Sequence, residues 1–251
     1  MRRTAMIARA LTIAALLATA LAFWTPGVAA EEVDLELVLA ADGSGSIDAD
    51  ELALQRKGYA DALTSPEVQR AIRSGVIGKI AVAYIEWGGP ASQHVIVDWQ
   101  VIGDPAAAAD FAAKLIARPR AAFGYNSISN AIDFSVRMIE TNAIDGRQKV
   151  VDVSADGPNI GGRDIQAARD DAVAKGVTIN GLVIARPGGQ IRRVAGEPLT
   201  EHFRRDVIGG PGAFIVTVDE TTSFPEAVRR KLVMEIADGL ERGRTRFATA
   251  D

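Results

Sequence analysis

A run of apolar residues that ends at an aspartate constrains the fold of this chain more than any other sequence feature. Leu37–Ala41 is continuously apolar and stops at Asp42, where a loop of alternating glycine and serine begins. Such a run is typical of a strand that is buried on both faces of a parallel sheet. The sequence therefore predicts a buried strand over Val33–Ala41 whose carboxyl end opens into a polar loop.

Strand-like and helix-like segments alternate along the rest of the chain. Strands are predicted at Lys79–Trp87, His94–Ile102, Lys149–Ser154, Val177–Ala185 and Ala213–Val218. Helices are predicted from Asp48 to Ser65, at Ala106–Ile116, Ser127–Thr141 and Asp164–Lys175, and from Phe224 to Gly243. The short Gly/Pro connection between the first two of these strands indicates a hairpin. This order predicts an α/β fold with a mostly parallel central sheet, one antiparallel edge hairpin and helices on both faces.

The first thirty residues have the composition of a secretory leader. Three arginines are their only charges, an apolar run covers residues 10–24, and small residues lead to Ala30. A membrane-spanning helix needs about 20 apolar residues, so a signal peptide cleaved after Ala30 is favoured over an uncleaved anchor. The predicted organisation is a signal peptide at 1–30, one domain at 31–243 and a frayed tail at 244–251. The mature protein is expected in the periplasm or medium, without stable membrane insertion.

Composition excludes several classes of function. The chain has no cysteine, which excludes disulfides and thiol chemistry. Cleavage after Ala30 removes three arginines and no acidic residue, so 25 Lys and Arg remain against 32 Asp and Glu, a net charge of −7. That balance disfavours a nucleic-acid partner.

Three polar loops are predicted to meet at the carboxyl ends of the strands, where such sheets bind ligands. They contain Asp42-Gly43-Ser44-Gly45-Ser46, Tyr125-Asn126-Ser127 and Asp156-Gly157-Pro158-Asn159. These loops offer oxygen donors and neither histidine nor cysteine. Such a set suits a hard cation, with Mg²⁺ favoured and Mn²⁺ or Ca²⁺ as alternatives, and does not suit zinc.

Here the sequence resembles the von Willebrand factor type A (vWA) family, whose fold is Rossmann-like. Asp42, Ser44 and Ser46 after an apolar strand match the family's metal-ion-dependent adhesion site (MIDAS), and Asp156 matches its second aspartate. The resemblance covers residues 33–242. It also implies a threonine ligand from the middle loop, where this chain has Asn126 with Ser127 beside it. Asn126 is therefore the predicted fifth ligand, with Ser127 or a water as the alternative.

More narrowly, the chain resembles a bacterial exported vWA-like branch of unknown function. The segments that carry this likeness are Ile85-Glu86-Trp87, Val151–Gly157, Ile179-Asn180-Gly181-Leu182, Val207–Phe214 and Arg230-Lys231-Leu232.

Rival sites fit the first loop less well. An EF-hand loop that starts at Asp42 would need glycine in place of Ile47 and glutamate in place of Ala53. A dinucleotide-binding loop would need glycine in place of Asp48.

The expected function is therefore a binding module and not an enzyme, with no catalytic residues. Its cation would leave one coordination position open, and the resemblance implies that an acidic group of a protein partner fills it. The alternatives are a metal-dependent hydrolase and a metal-free structural domain. His94 and His202 are predicted to be surface or packing residues, and Asp152 to hydrogen-bond a neighbouring loop or to support a metal ligand.

Overall fold

The computed structural model describes residues 30–185, 192–219 and 222–248. From residue 238 onward it describes the backbone alone. The predicted signal peptide lies outside the described residues except for Ala30, and so do the last three residues of the predicted tail. Among the described residues, no helix is both long enough and apolar enough to span a bilayer.

The described strands and helices alternate as the sequence predicts. The strands are β1 (Glu31–Val33), β2 (Leu35–Asp42), β3 (Ile80–Trp87), β4 (Gln93–Ile102), β5 (Ile144–Gly146), β6 (Lys149–Ala155), β7 (Val177–Ile184), β8 (Arg193–Val194), β9 (Glu197–Pro198) and β10 (Ile215–Val218). The helices are α1 (Ala49–Thr64), α2 (Pro66–Arg73), α3 (Pro105–Ala117), α4 (Ile128–Thr141), α5 (Ile165–Ala174), α6 (Leu199–His202), a π-helical turn (Phe203–Val207) and α7 (Phe224–Ala248).

Six strands form the central sheet in the order β10-β7-β6-β2-β3-β4. Strand β4 is antiparallel to β3, and the other neighbouring strands are parallel. The β3–β4 pairing, from Trp87 opposite Gln93 to Ile80 opposite Ile102, confirms the predicted edge hairpin. Strands β2 and β6 are direct neighbours, so the loops that follow them leave from the same edge of the sheet.

Two apolar layers cover the sheet, one on each face. Alternate residues of β2 divide between them, because successive side chains of a strand point to opposite faces. Leu37 and Leu39 pack in a layer with α1, α2, α3 and α7. Val38 and Ala40 pack in a layer with α4 and α5. This three-layer arrangement confirms the predicted α/β fold with helices on both faces.

Local signals explain how α1 begins and ends. Asp48 accepts hydrogen bonds from the backbone N–H groups of Asp50 and Glu51, and the Glu51 side chain accepts one from the N–H of Asp48, which completes a capping box. Ser65 ends the helix and caps the next one, whose first residue is Pro66. The sequence predicted the stop at this point but not that α2 would follow it.

Several boundaries shift by one or two residues from the sequence prediction, and two of the differences have a clear physical cause. The strand expected over Val33–Ala41 is interrupted at Asp34, whose carboxylate accepts hydrogen bonds from the backbone N–H groups of Ile77 and Gly78. The residues before the break pair with β5 instead of joining the central sheet. The last helix does not end at Gly243 but continues to Ala248.

Candidate metal site

The five predicted ligands converge at the carboxyl edge of the sheet. Asp42 is the last residue of β2, Asp156 follows β6, and Asn126 lies two residues before α4. Ser44 and Ser46 stand in the loop that leaves β2. Asp42, Ser44, Asn126 and Asp156 are all buried, so the structure brings together the residues that the sequence selected from three distant loops.

Asp42 lies at the centre of this cluster. One carboxylate oxygen, Oδ1, accepts a hydrogen bond from the backbone N–H of Ser44 at 2.8 Å. The other, Oδ2, accepts from Asn126 Nδ2 at 3.1 Å and from the backbone N–H of Asp156 at 3.5 Å. All three loops therefore contact the same carboxylate.

The two serine hydroxyls connect the loops to one another. Ser44 Oγ lies 3.1 Å from Ser46 Oγ and donates to Asn126 Oδ1 at 3.2 Å. Ser46 Oγ donates to Asp156 Oδ1 at 2.9 Å. The hydroxyls, the amide oxygen and the carboxylates thus form one continuous set of oxygen donors.

Ser127 does not belong to this set. Its hydroxyl donates to Asn130 Oδ1 at 2.8 Å and to the Gly161 carbonyl at 2.9 Å, and so faces the neighbouring loop. The backbone carbonyl of Asn126 accepts from the N–H groups of Ile160 and Gly161, which fixes the middle loop against the third one. Of the two residues considered for the threonine position, the structure places Asn126 at the site.

The electrostatics of the cluster favour a cation. Burial raises the pKa of Asp42 to about 7, hydrogen bonding from Ser44 opposes the rise, and the charge of Asp156 adds to it. A buried carboxylate beside a second carboxylate is stabilised in its charged form by a positive partner. Two carboxylates, two hydroxyls and an amide oxygen are hard ligands of the kind that Mg²⁺ and Ca²⁺ prefer. The residues present therefore fit a divalent cation through a mixed set of donors that includes only two carboxylates. No group of three or more Asp, Glu or His side chains suited to a metal occurs among the described residues.

Arg120 stabilises the first loop, a role that the sequence did not predict. Its guanidinium donates to the carbonyls of Gly43, Ser44 and Ile47 at 2.7–2.8 Å. These bonds orient the loop that carries two of the hydroxyl donors. Arg120 lies 76 residues from Ser44 in the chain, and nothing in its local sequence signals the contact.

The remaining polar candidates contact residues other than the five predicted ligands. His94 contacts Ser92 Oγ at 3.1 Å, and His202 Nδ1 lies 2.7 Å from Asp206 Oδ2. Among the described residues, the Asp152 side chain contacts neither a neighbouring loop nor a predicted metal ligand, the two roles that the sequence predicted for it. Instead, it pairs with Lys231 of the last helix at 2.7 Å, because its side chain points to the face that α7 covers.

Comparison with known proteins gives a family and a fold. A family model described as "Protein of unknown function (DUF1194)" matches residues 32–240. No curated protein sequence matches the chain.

Solved structures of the same fold come from several kinds of protein. BatB from Bacteroides thetaiotaomicron aligns with a TM-score of 0.54 and 17% identity over 82% of this chain and 99% of its own. A von Willebrand factor type A protein from Catenulispora acidiphila aligns with a TM-score of 0.55 and 14% identity over 84% of this chain and 43% of its own. Proximal thread matrix protein 1 from the mussel byssus, solved with a zinc-occupied MIDAS motif, aligns with a TM-score of 0.52 and 14% identity. The alignment covers 81% of this chain and 46% of its own.

These likenesses show the fold, which is the vWA fold that the sequence predicted. The chain spans less than half the length of the last two proteins.

Proposed function

The chain belongs to the DUF1194 family and has the fold of vWA domains, and from this we propose that it is an exported binding module that holds a divalent cation and engages an acidic group of a protein partner. Mg²⁺ is the favoured cation, with Mn²⁺ and Ca²⁺ as alternatives. Asp42, Ser44, Ser46, Asn126 and Asp156 would hold it.

The observation that carries this proposal is the convergence of oxygen donors on one buried carboxylate. Asp42 receives contacts from the loops after β2, before α4 and after β6. Burial of Asp42 next to Asp156 is costly without a positive charge. The solved mussel protein with a zinc-occupied MIDAS motif supports metal binding by this fold.

A bound divalent cation would neutralise the two carboxylates and present an open coordination position to a partner's carboxylate. The chain's own residues prepare the position for it. Arg120 holds the carbonyls of the first loop, so Ser44 and Ser46 are oriented before the cation binds. Such preorganisation reduces the entropy that is lost on binding.

Binding is favoured over hydrolysis because the side chains best suited to act as a base are engaged elsewhere. A metal-dependent hydrolase would need a general base within hydrogen-bond reach of a water on the cation. His94 contacts Ser92, and His202 is buried against Asp206. These contacts favour recognition of a partner over chemistry on it.

The test is a thermal unfolding series with and without cation. A ligand that binds only the folded state, supplied at 100 times its Kd, stabilises it by about 2.7 kcal/mol. We therefore expect Mg²⁺ to raise the Tm of EDTA-treated protein, and Asp42→Ala to abolish the rise. Asp145→Ala is the matched control, because Asp145 is exposed on β5, away from the carboxyl edge of the sheet.

Equal shifts in wild type and Asp42→Ala would show that the cation binds elsewhere. No shift in wild type with any of the three cations would favour the metal-free structural alternative, in which the direct hydrogen bonds among the loops are the final state of the site.

A further inference from the structure

Arg192 lies beside the candidate site, and it takes part in no ion pair with the rest of the described chain. A side chain at Gly157 would place its Cβ 2.9 Å from Arg192 Nη1 and 3.1 Å from Asn126 Nδ2. The absence of a side chain at Gly157 thus lets the guanidinium approach the loop next to Asp156. Within the described residues, the Arg192 guanidinium forms no salt bridge, although the side chain is half-buried.

Three exposed apolar side chains belong to the loops at the same edge. Phe123, Tyr125 and Ile160, which we call the apolar rim, expose 64%, 79% and 60% of their surface. Gly124, between the first two, has a φ of +89° that favours glycine and accepts a hydrogen bond from the Gly45 N–H. Ile160 donates its N–H to the Asn126 carbonyl. Each rim residue is therefore adjacent to, or part of, a contact that builds the site.

We infer that Arg192 and the apolar rim select the partner: it presents an acidic side chain flanked by apolar residues, one carboxylate oxygen facing the cation position and the other accepting from the Arg192 guanidinium. This inference rests on the proposed function, because it assigns the chemistry of the partner at the same site.

Charge complementarity favours this occupant. A charge-assisted hydrogen bond from a guanidinium to a carboxylate oxygen is stronger than a neutral one. The half-buried Arg192 has no carboxylate partner among the described residues, so a partner's free carboxylate oxygen could accept such a bond. Aromatic residues and arginine are enriched at protein–protein interfaces, and the two exposed aromatic residues of the rim are of this kind. Arg192 supplies the charge and the apolar rim supplies the surface that excludes water around it.

The experiment uses defined peptides as probes. Acetyl-Leu-Leu-Glu-Leu-Leu-amide is titrated into ¹⁵N-labelled, Mg²⁺-saturated protein, and Kd is obtained from chemical shifts, including those of the arginine Nε–Hε groups. We expect Arg192→Gln to weaken binding at least tenfold while leaving Mg²⁺ affinity, measured separately by calorimetry, no weaker. Arg73→Gln is the matched control, since Arg73 is an exposed arginine at the end of α2.

Two further comparisons test the rim. Replacing the leucines of the peptide by serine is expected to weaken binding at least fivefold. The triple variant Phe123→Ser/Tyr125→Ser/Ile160→Ser is expected to lose that preference. Val76→Ser, at an apolar residue that is 56% exposed in the turn after α2, is expected to keep it.

The outcomes separate the inference from the proposed function. If Mg²⁺ does not bind wild type, the proposed function fails. If Mg²⁺ binds but Arg192→Gln and Arg73→Gln bind the peptide equally, or wild type does not bind it, the inference is overturned and cation binding stands. Mg²⁺-dependent self-association in sedimentation, without peptide binding, would identify a second copy as the occupant and also overturn the inference.

Discussion

Asn126 is the residue that we expect to affect most how the proposed site discriminates between cations. Its amide spans the cluster, with Nδ2 donating to Asp42 and Oδ1 accepting from Ser44. The first of these bonds competes with a cation for the same carboxylate. The carbonyl oxygen is also carried on a longer side chain than a threonine hydroxyl and has an additional soft torsion.

We predict that Asn126→Thr tightens Mg²⁺ binding and shifts preference away from Ca²⁺. Mg²⁺ demands near-ideal octahedral geometry, whereas Ca²⁺ accepts carbonyl ligands at longer and more variable distances. A threonine hydroxyl is held by a stiff χ1 and has no N–H to donate to Asp42. The gain in Mg²⁺ affinity should be roughly tenfold, the lower end of what changes around a metal produce. Calorimetric titration of both ions into both proteins measures it, and an unchanged Mg²⁺/Ca²⁺ ratio would show that Asn126 is not a ligand.

The residues of the site differ in how clearly the sequence predicts their roles. Asp42, Ser44 and Ser46 form a local pattern with fixed spacing, and Asp156 follows a recognisable strand, so the sequence predicted their convergence. The contacts of Arg120, and the role inferred for Arg192, could not be predicted, because both depend on residues far away in the chain. Arg120 donates to backbone carbonyls, which every residue carries. Its partners therefore leave no pattern of side chains in the sequence.

At the scale of elements, a buried group of charges fixes α7 onto the sheet. Lys231 lies 2.7 Å from Asp152 of β6 and 2.5 Å from Glu235 one turn further along α7, and all three are almost fully buried. Burial raises the pKa of Asp152 to about 7 even though Lys231 lowers it. Burial alone would lower the pKa of Lys231, but the two carboxylates raise it overall.

We predict that Lys231→Met destabilises the protein by about 3–5 kcal/mol, the cost of leaving a buried charge without its partner. Chemical denaturation measures the change. Lys57→Met is the control, since Lys57 pairs with Asp61 on the surface and such pairs contribute about 0–1 kcal/mol. Similar losses in both variants would contradict the assigned role of Lys231.

The loss in Lys231→Met should also depend on pH. Without the lysine, the folded-state pKa of Asp152 rises further, while the unfolded-state value stays near 3.9. The folded state then retains protons that the unfolded state releases, so stability falls as pH rises through that window. We expect the destabilisation to be larger at pH 8 than at pH 5, and a pH-independent loss would contradict this account.

Elements with a strong local signal were predicted well. The edge hairpin, the start of α1 after Asp48 and the start of α7 at Phe224 were all predicted, and each depends on neighbouring residues. The break at Asp34 was missed because it is set by hydrogen bonds to Ile77 and Gly78, more than forty residues away. Gly243 does not end α7, because a glycine within a helix costs only about 1 kcal/mol relative to alanine.

At the scale of the whole molecule, the start of the described domain coincides with the proposed cleavage site. Strand β1 begins at Glu31, directly after Ala30. We predict that the mature protein, recovered from the periplasm or the medium, has an N terminus near Glu31. Ala30→Trp should block processing, because the cleavage site requires a small residue. N-terminal sequencing checks both, and recovery of the intact wild-type chain from membranes would contradict the proposal.

The direction of β2 separates the two ends of the domain. Strand β1 lies before the amino end of β2. The eight residues of β2 then lead to Asp42 at the other end, seven steps or about 23 Å from Leu35 at ~3.3 Å per residue. The candidate site and Glu31 therefore lie beyond opposite ends of β2. Protein immobilised on a sensor chip through a tag placed ahead of Glu31 would display its carboxyl-edge loops toward the flowing analyte. Coupling through those loops would instead cover the candidate site.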